Sequence, residues 1–110
     1  MKMVLELDAG PVYAEASLPI DDSTRRPQLE TDLAHLGARL LVDTLPKLAE
    51  LTPVPQDSER VTYAPIISKD FGYVNWNEQT ARDIFNLHRA FEGWPAIWCG
   101  FKGENLKLVK

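Results

Sequence analysis

The residues in the first half of the chain whose types could do chemistry lie in the turn Asp8-Ala9-Gly10-Pro11. A carboxylate can accept a proton or steady an imidazolium. Gly10 allows unusual backbone angles, and Pro11 stops any helix. Aspartate also initiates turns through its side chain. By themselves, therefore, these residues favour Asp8 as a turn residue over Asp8 as a catalytic carboxylate.

Few other side chains suit catalysis or metal binding. His35 falls on a long helix without an evident partner, and His88 falls near the apolar face of a shorter helix, so we assign neither to catalysis. Cys99 is the single cysteine, which excludes an internal disulfide and offers no zinc-ligand pattern. Its alternation with Ile97 and Phe101 indicates a small core side chain. The sequence therefore predicts no metal site.

The two halves of the chain differ in charge. Residues 1–59 carry 5 basic and 11 acidic side chains, hence −6, whereas residues 60–110 carry 7 and 5, hence +2. Nucleic acid, if bound, would therefore meet the second half, where Lys and Arg can neutralise phosphates. Trp76, Trp94 and Trp98 could stack on bases. Such side chains more often fill a barrel core or a seam between domains.

The first half predicts two extended segments and one long helix. β-forming residues favour strands over 1–7 and 12–20. A helix begins near Pro27, because proline suits a first helical position, and seven leucines continue as an apolar stripe to Leu48. Gly37 would weaken this helix unless something packs closely against it.

The second half predicts an extended segment, a helix and a strand pair. The extended segment covers 61–76, and an amphipathic helix follows over 77–92, with Asn77 as its N-cap. Strands over 96–101 and 106–109 then pair around a four-residue turn. The 110 residues leave room for one small domain or for pieces of two. No apolar run approaches the ~20 residues that a membrane helix needs.

Five short motifs stand in one order that resembles the domain junction of methionyl-tRNA formyltransferases. They are Val-Pro-Gln-Asp at 54–57, Thr-Tyr-Ala-Pro at 62–65, Ile-Ser-Lys at 67–69, Trp76 before a polar cap, and Arg-Ala-Phe at 89–91. Ahead of them, Leu7-Asp8 and Gly10-Pro11 match the family's Leu-Asp-Thr-Gly-Pro signature, with alanine in place of threonine. The likeness to animal mitochondrial members looks closest at Glu78-Gln79-Thr80, with Ile84-Phe85, Leu87 and Arg89-Ala90. The resemblance therefore favours a mitochondrial enzyme over a bacterial one.

The resemblance implies an α/β fold class for the first part of the chain. Residues 1–51 would be the end of a Rossmann-like formyltransferase domain, and residues 52–60 a linker. Residues 61–110 would begin an OB-like β-barrel C-terminal domain with one helix. Family members carry an Asn-x-His pair in a long N-terminal region, and no such pair stands ahead of Asp8. We therefore expect a fragment that spans the domain junction and is inactive alone.

The function that the resemblance implies is transfer of a formyl group from 10-formyltetrahydrofolate to initiator methionyl-tRNA, for translation initiation. Asp8 would be the catalytic carboxylate, and Gly10 would let the folate approach the backbone. Lys69 would contact a tRNA phosphate, with a solvated strand-edge lysine as the equal alternative. We expect no metal, membrane or DNA partner. The complete enzyme is expected to be a monomer in the mitochondrial matrix, with the bacterial cytoplasm as the alternative location.

Two other functions stay open at this point. The same superfamily contains formyltransferases that act on sugar nucleotides and folate hydrolases, and these share the junction plan. From another class, the second half could form a non-catalytic RNA-binding or interaction module. The Pro-Gln-Asp and Thr-Tyr-Ala-Pro series favours the tRNA enzyme over both.

Overall fold

A computed structural model describes residues Met1–Val109. The chain divides into two compact units. The first unit contains residues 1–20 and 31–64, and the second contains residues 21–30 together with the chain from Pro65 onward. Among the helices of these described residues, none is long and apolar enough to cross a membrane.

Helix α1 spans Arg26–Thr44, and the 3-10 helix Leu45–Lys47 follows it. The predicted start near Pro27 is thus confirmed within one residue. None of the residues of α1 is buried, and Leu41 of its apolar stripe is 58% exposed. Nothing lies within 4 Å of where a Cβ at Gly37 would stand. No close packing there offsets the cost of this glycine to the helix.

The strands predicted over 1–7 and 12–20 are not formed within the described residues, so this prediction is wrong. Only Val12 pairs, in an isolated antiparallel bridge with Val54. An extended segment becomes a strand when a neighbouring strand accepts and donates its backbone hydrogen bonds. These segments have β-forming residues but no such neighbour in this part of the chain. Their backbone therefore runs as turns and irregular structure.

Helix α2 spans Ala81–Ala90 and its N-cap is Thr80, so the predicted N-cap at Asn77 is wrong by three residues. Thr80 is the N-cap, and it forms a reciprocal capping box with Asp83. The backbone N–H of Asp83 donates to the Thr80 hydroxyl, and the backbone N–H of Thr80 donates to the Asp83 carboxylate. This box satisfies two otherwise unpaired donors at once. Asn77 lies in the preceding turn, where its N–H donates to the side chain of Asn75.

Strand β1 (Ile97–Phe101) pairs antiparallel with β2 (Glu104–Leu108), which confirms the predicted strand pair. The turn between them has two residues, not four, because Lys102 and Gly103 both adopt positive φ, at 49° and 84°. A two-residue turn with positive φ at both positions fits the twist of a hairpin. The predicted extended segment 61–76 forms no strand. It contains the 3-10 helix Lys69–Gly72 and one bridge to β1.

The core of the second unit is small. Its buried apolar side chains, among the described residues, are Val74, Ile97 and Cys99. Packed against them are four partly buried side chains: Ile84, Leu87, Phe91 and Leu108. The predicted core position of Cys99 is confirmed. One face of α2 and the inward side of β1 thus form a helix-on-hairpin core.

Candidate functional site

The turn that carries Asp8 is built tightly. Asp8 has φ +56°, a left-handed conformation that aspartate tolerates better than most residues. Gly10 is buried, and a Cβ there would stand 1.8 Å from the carbonyl oxygen of Lys2. The backbone N–H of Lys2 donates to the carbonyl of Pro11 across 2.8 Å. Glycine is therefore required at position 10 because another backbone segment crosses at this point.

Gln56 also binds this turn, although nothing in the sequence pattern indicated a role for it. Its Nε2 donates to the carbonyl of Asp8 across 2.7 Å and to the carbonyl of Gly10 across 2.8 Å. The sequence signal was the Val-Pro-Gln-Asp motif, which served there only to mark the family junction. The motif could not show that this glutamine binds Asp8 and Gly10, which lie 48 and 46 residues earlier in the chain.

The carboxylate of Asp8 is exposed, and within Met1–Val109 it makes no hydrogen bond or ion pair. Chemically it can accept a proton or lie beside a cation that another group supplies. His35 is exposed on α1, and His88 is half-buried on α2. Across the same described residues, no group of three or more His, Cys, Asp or Glu side chains is placed to hold a metal ion.

Lys69, the residue predicted to contact tRNA, begins the 3-10 helix Lys69–Gly72. The indole N–H of Trp98 donates to its carbonyl across 3.1 Å. Its ammonium nitrogen lies 6.0 Å from the centre of the Trp98 ring, at the outer limit for a cation–π contact. Tyr73 packs on the same indole, with ring centres 4.9 Å apart. The lysine backbone is therefore fixed by an aromatic pair, while its side chain is exposed.

Arg89 binds the loop that precedes α1. Its guanidinium donates to the carbonyl of Asp21 and, across 2.9 Å, to the carbonyl of Thr24, and its Nε donates to Asn86. The same loop is tightened by its own side chains. Hydrogen bonds from the side chains of Ser23 and Thr24, and smaller effects of those from their backbone N–H groups, lower the pKa of Asp21 to about 2. Arg89 thus holds the backbone of this loop against α2.

An open cavity of about 190 Å³ lies at the end of α2 in the second unit. His88, Phe91 and Lys107 are among the residues that line it. Arg25 also lines it, but its Nε is paired with the carboxylate of Glu92 across 2.7 Å. The cavity is therefore mixed in character, with apolar walls and one cation already neutralised.

Comparison with known proteins first defines the class of domain. Residues 66–110 match the family model described as the C-terminal domain of formyl transferases. That segment contains α2, the hairpin and the whole core of the second unit.

Similarity over nearly the whole chain then points to the family. The chain is 39% identical over 106 residues to a methionyl-tRNA formyltransferase of Thermodesulfovibrio yellowstonii, covering 94% of the chain and 34% of that protein. It is 42% identical over 112 positions to the one of Dictyoglomus turgidum, covering 100% of the chain and 35% of that protein. It is 38% identical to the methionyl-tRNA formyltransferase of Streptococcus pneumoniae, covering 100% of the chain and 36% of that protein. The chain spans about a third of the length of these bacterial relatives.

Proposed function

We propose that this chain is part of a methionyl-tRNA formyltransferase. The enzyme would transfer a formyl group from 10-formyltetrahydrofolate to the α-amino group of initiator methionyl-tRNA. The observation that carries the proposal is the similarity to enzymes of that name, at 37–42% identity over 94–100% of this chain. The match of the second half to a formyl transferase C-terminal domain supports it independently. Both substrates follow from the name and chemistry of the family.

The proposed reaction sets the task of Asp8. The attacking amine must be neutral, and the tetrahedral intermediate develops an oxyanion. A fixed carboxylate beside an imidazole steadies the imidazolium that forms when the base takes a proton. We assign this task to Asp8, with the imidazole supplied by a part of the enzyme outside these residues. The fixed turn around Gly10 supports the assignment, because a rigid backbone fixes the position from which the carboxylate extends.

Gly10 has a second proposed task on the same turn. In the enzyme, the folate would approach this turn on a side other than the one that the backbone of Lys2 fills at Gly10. The buried carbonyl of Gly10 already accepts from Gln56. Any further contact to the folate would therefore use the other exposed groups of the turn.

Lys69 is proposed as a tRNA phosphate contact. An exposed ammonium on a backbone held by Trp98 presents a cation without a fixed carboxylate partner among the described residues. A phosphate contact of this kind supplies affinity and orientation but no sequence information. The positive balance of residues 60–110 supports the same assignment.

We further propose the domain boundaries and location that go with this function. Residues 1–51 would end a Rossmann-like catalytic domain, residues 52–60 would be the linker, and residues 61–110 would begin an OB-like barrel. The location of this enzyme in the mitochondrial matrix stays a prediction. The relatives compared above are bacterial, which favours the bacterial cytoplasm as its location. The complete enzyme is proposed to act as a monomer.

The test is Asp8→Asn in the full-length enzyme that carries this chain. Asparagine has the same size and also tolerates the left-handed φ of this position, so the turn should be kept while the charge is lost. Turnover should fall roughly 10²–10⁴-fold, the range of general acid–base effects. The control is Asp57→Asn, because Asp57 caps a 3-10 turn in the same unit and asparagine caps equally well. Near-normal turnover of Asp8→Asn would make Asp8 a turn residue only.

A further inference from the structure

We propose that Gln56 is a positioning residue for the Asp8 turn, acting through its side-chain amide. A primary amide has two N–H donors, and the two short contacts of Nε2 go to carbonyls of the same turn, those of Asp8 and Gly10, while the sulfur of Met1 lies farther away at 4.0 Å. The motif after α1 would therefore do more than connect domains. It would fix the backbone that directs the Asp8 carboxylate. The catalytic part of this inference rests on the proposed function, whereas the geometric part does not.

The backbone around Gln56 explains why a side chain has this task. Val12 and Val54 exchange two backbone hydrogen bonds, of 2.8 and 2.9 Å, as an antiparallel pair. Continued by two residues, that register places Gln56 opposite Gly10. The ladder stops after one pair, and the amide of Gln56 then supplies the donors that a longer strand would have supplied.

Loss of this amide should loosen Asp8 more than its neighbours. The backbone of Lys2 packs against Gly10, and the amide of Gln56 binds the carbonyls of Asp8 and Gly10. The left-handed φ of Asp8 is unfavourable for a residue with a side chain and persists where the surroundings fix it. Without the amide the carbonyl of Asp8 is free to rotate, and the carboxylate rotates with the backbone that carries it.

The chemistry of the contact defines the informative variants. Gln56→Glu keeps the length but replaces two donors by carboxylate oxygens that face two carbonyl oxygens. Gln56→Ala removes the contact without adding charge. Gln79→Glu is the matched control, because the Oε1 atom of Gln79 accepts from the backbone N–H of Asn75 across 2.7 Å. Glutamate retains that acceptor, so the same substitution should be harmless there.

The first measurement is amide hydrogen exchange in the full-length enzyme. The N–H groups of Lys2 and Val12 both donate within the turn region. They should exchange about tenfold faster or more in Gln56→Glu and Gln56→Ala, and at the wild-type rate in Gln79→Glu. Unchanged exchange in both Gln56 variants would overturn the positioning role. This readout is independent of catalysis, so it stands even where the proposed function fails.

The second measurement separates positioning from general stability. Gln56→Ala should lower kcat at least tenfold with little change in KM, because a misdirected group costs rate more than binding. Combined with Asp8→Asn, it should cause no further loss, since Gln56 acts through Asp8. An additional loss in the double variant equal to that of Gln56→Ala alone would show an effect unrelated to Asp8. A normal kcat in Gln56→Ala, with turnover lost in Asp8→Asn, would overturn the catalytic part of the proposal, whereas normal turnover in both variants would count against the proposed function instead.

Discussion

Replacing Gly72 by alanine should open the core of the second unit. Gly72 is buried, and a Cβ there would lie 2.0 Å from the carbonyl oxygen of Ala96. Real Cβ contacts stay above 3.0 Å, so the two backbone segments must separate by about 1 Å. Val74, two residues on, donates its N–H to the carbonyl of Trp98 across 2.8 Å. Separation therefore weakens a hydrogen bond and the contact of Val74 with Ile97 together.

The expected cost follows from the type of contact. Extra atoms forced into a close-packed site destabilise by about 1–3 kcal/mol. At 1.4 kcal/mol per factor of ten, the population of the open form rises roughly 5- to 150-fold. The backbone angles of Gly72 do not require glycine, because its φ lies outside the left-handed region. The cost is therefore one of contact, and alanine tests it with the smallest possible side chain.

The assay is hydrogen exchange of the amides paired between β1 and β2, with Gly100→Ala as the control. Gly100 lies in β1 opposite Asn105, and nothing stands within 4 Å of its Cβ position. Alanine there should leave protection unchanged or raise it by the ~0.5–1 kcal/mol that glycine costs in a strand. Equal exchange in Gly72→Ala and wild type would refute the described packing of Gly72 on Ala96. Equal loss in both variants would point to a general intolerance of alanine.

Two further predictions concern charge. Two hydrogen bonds hold the pKa of Asp83 below its ordinary 3.8: the larger effect comes from the Thr80 side chain and the smaller from the Thr80 backbone N–H. The cap therefore stabilises α2 fully above that ordinary value and is lost as pH falls through the lowered pKa. Acid titration of the α2 amides should show this loss in the wild type but not in Asp83→Asn. Lys69→Ala should raise KM for tRNA and flatten the salt dependence of binding by about one charge, alike for initiator and elongator tRNAs. Lys47→Ala serves as its control, and an unchanged salt slope would leave Lys69 a surface lysine.

The sequence predicted those elements whose determinants are local. The start of α1 and the hairpin depend on nearby residues, namely proline at a first helical turn and alternation around Cys99. The start of α2 was misplaced because Asn77 and Thr80 are both good caps. The choice between them depends on Asp83 three residues later, which returns the hydrogen bond to Thr80.

Elements that depend on distant partners were not predictable in the same way. β-Forming residues favour an extended backbone over 1–7 and 61–76, but a strand also needs a neighbour. In the candidate site, the type and order of residues pointed to Asp8 and Gly10. The contacts of Gln56 were missed because they depend on the pairing of Val12 with Val54, which no local pattern records.

The buried thiol of Cys99 has a practical consequence for studying this chain in solution. It is the only sulfhydryl in the sequence and is 4% exposed, so alkylating reagents should reach it only when the core of the second unit opens. A fluorophore or spin label could therefore be introduced on a new surface cysteine while the native one is left in place. The rate at which the native thiol reacts would then serve as a built-in measure of how often that core opens.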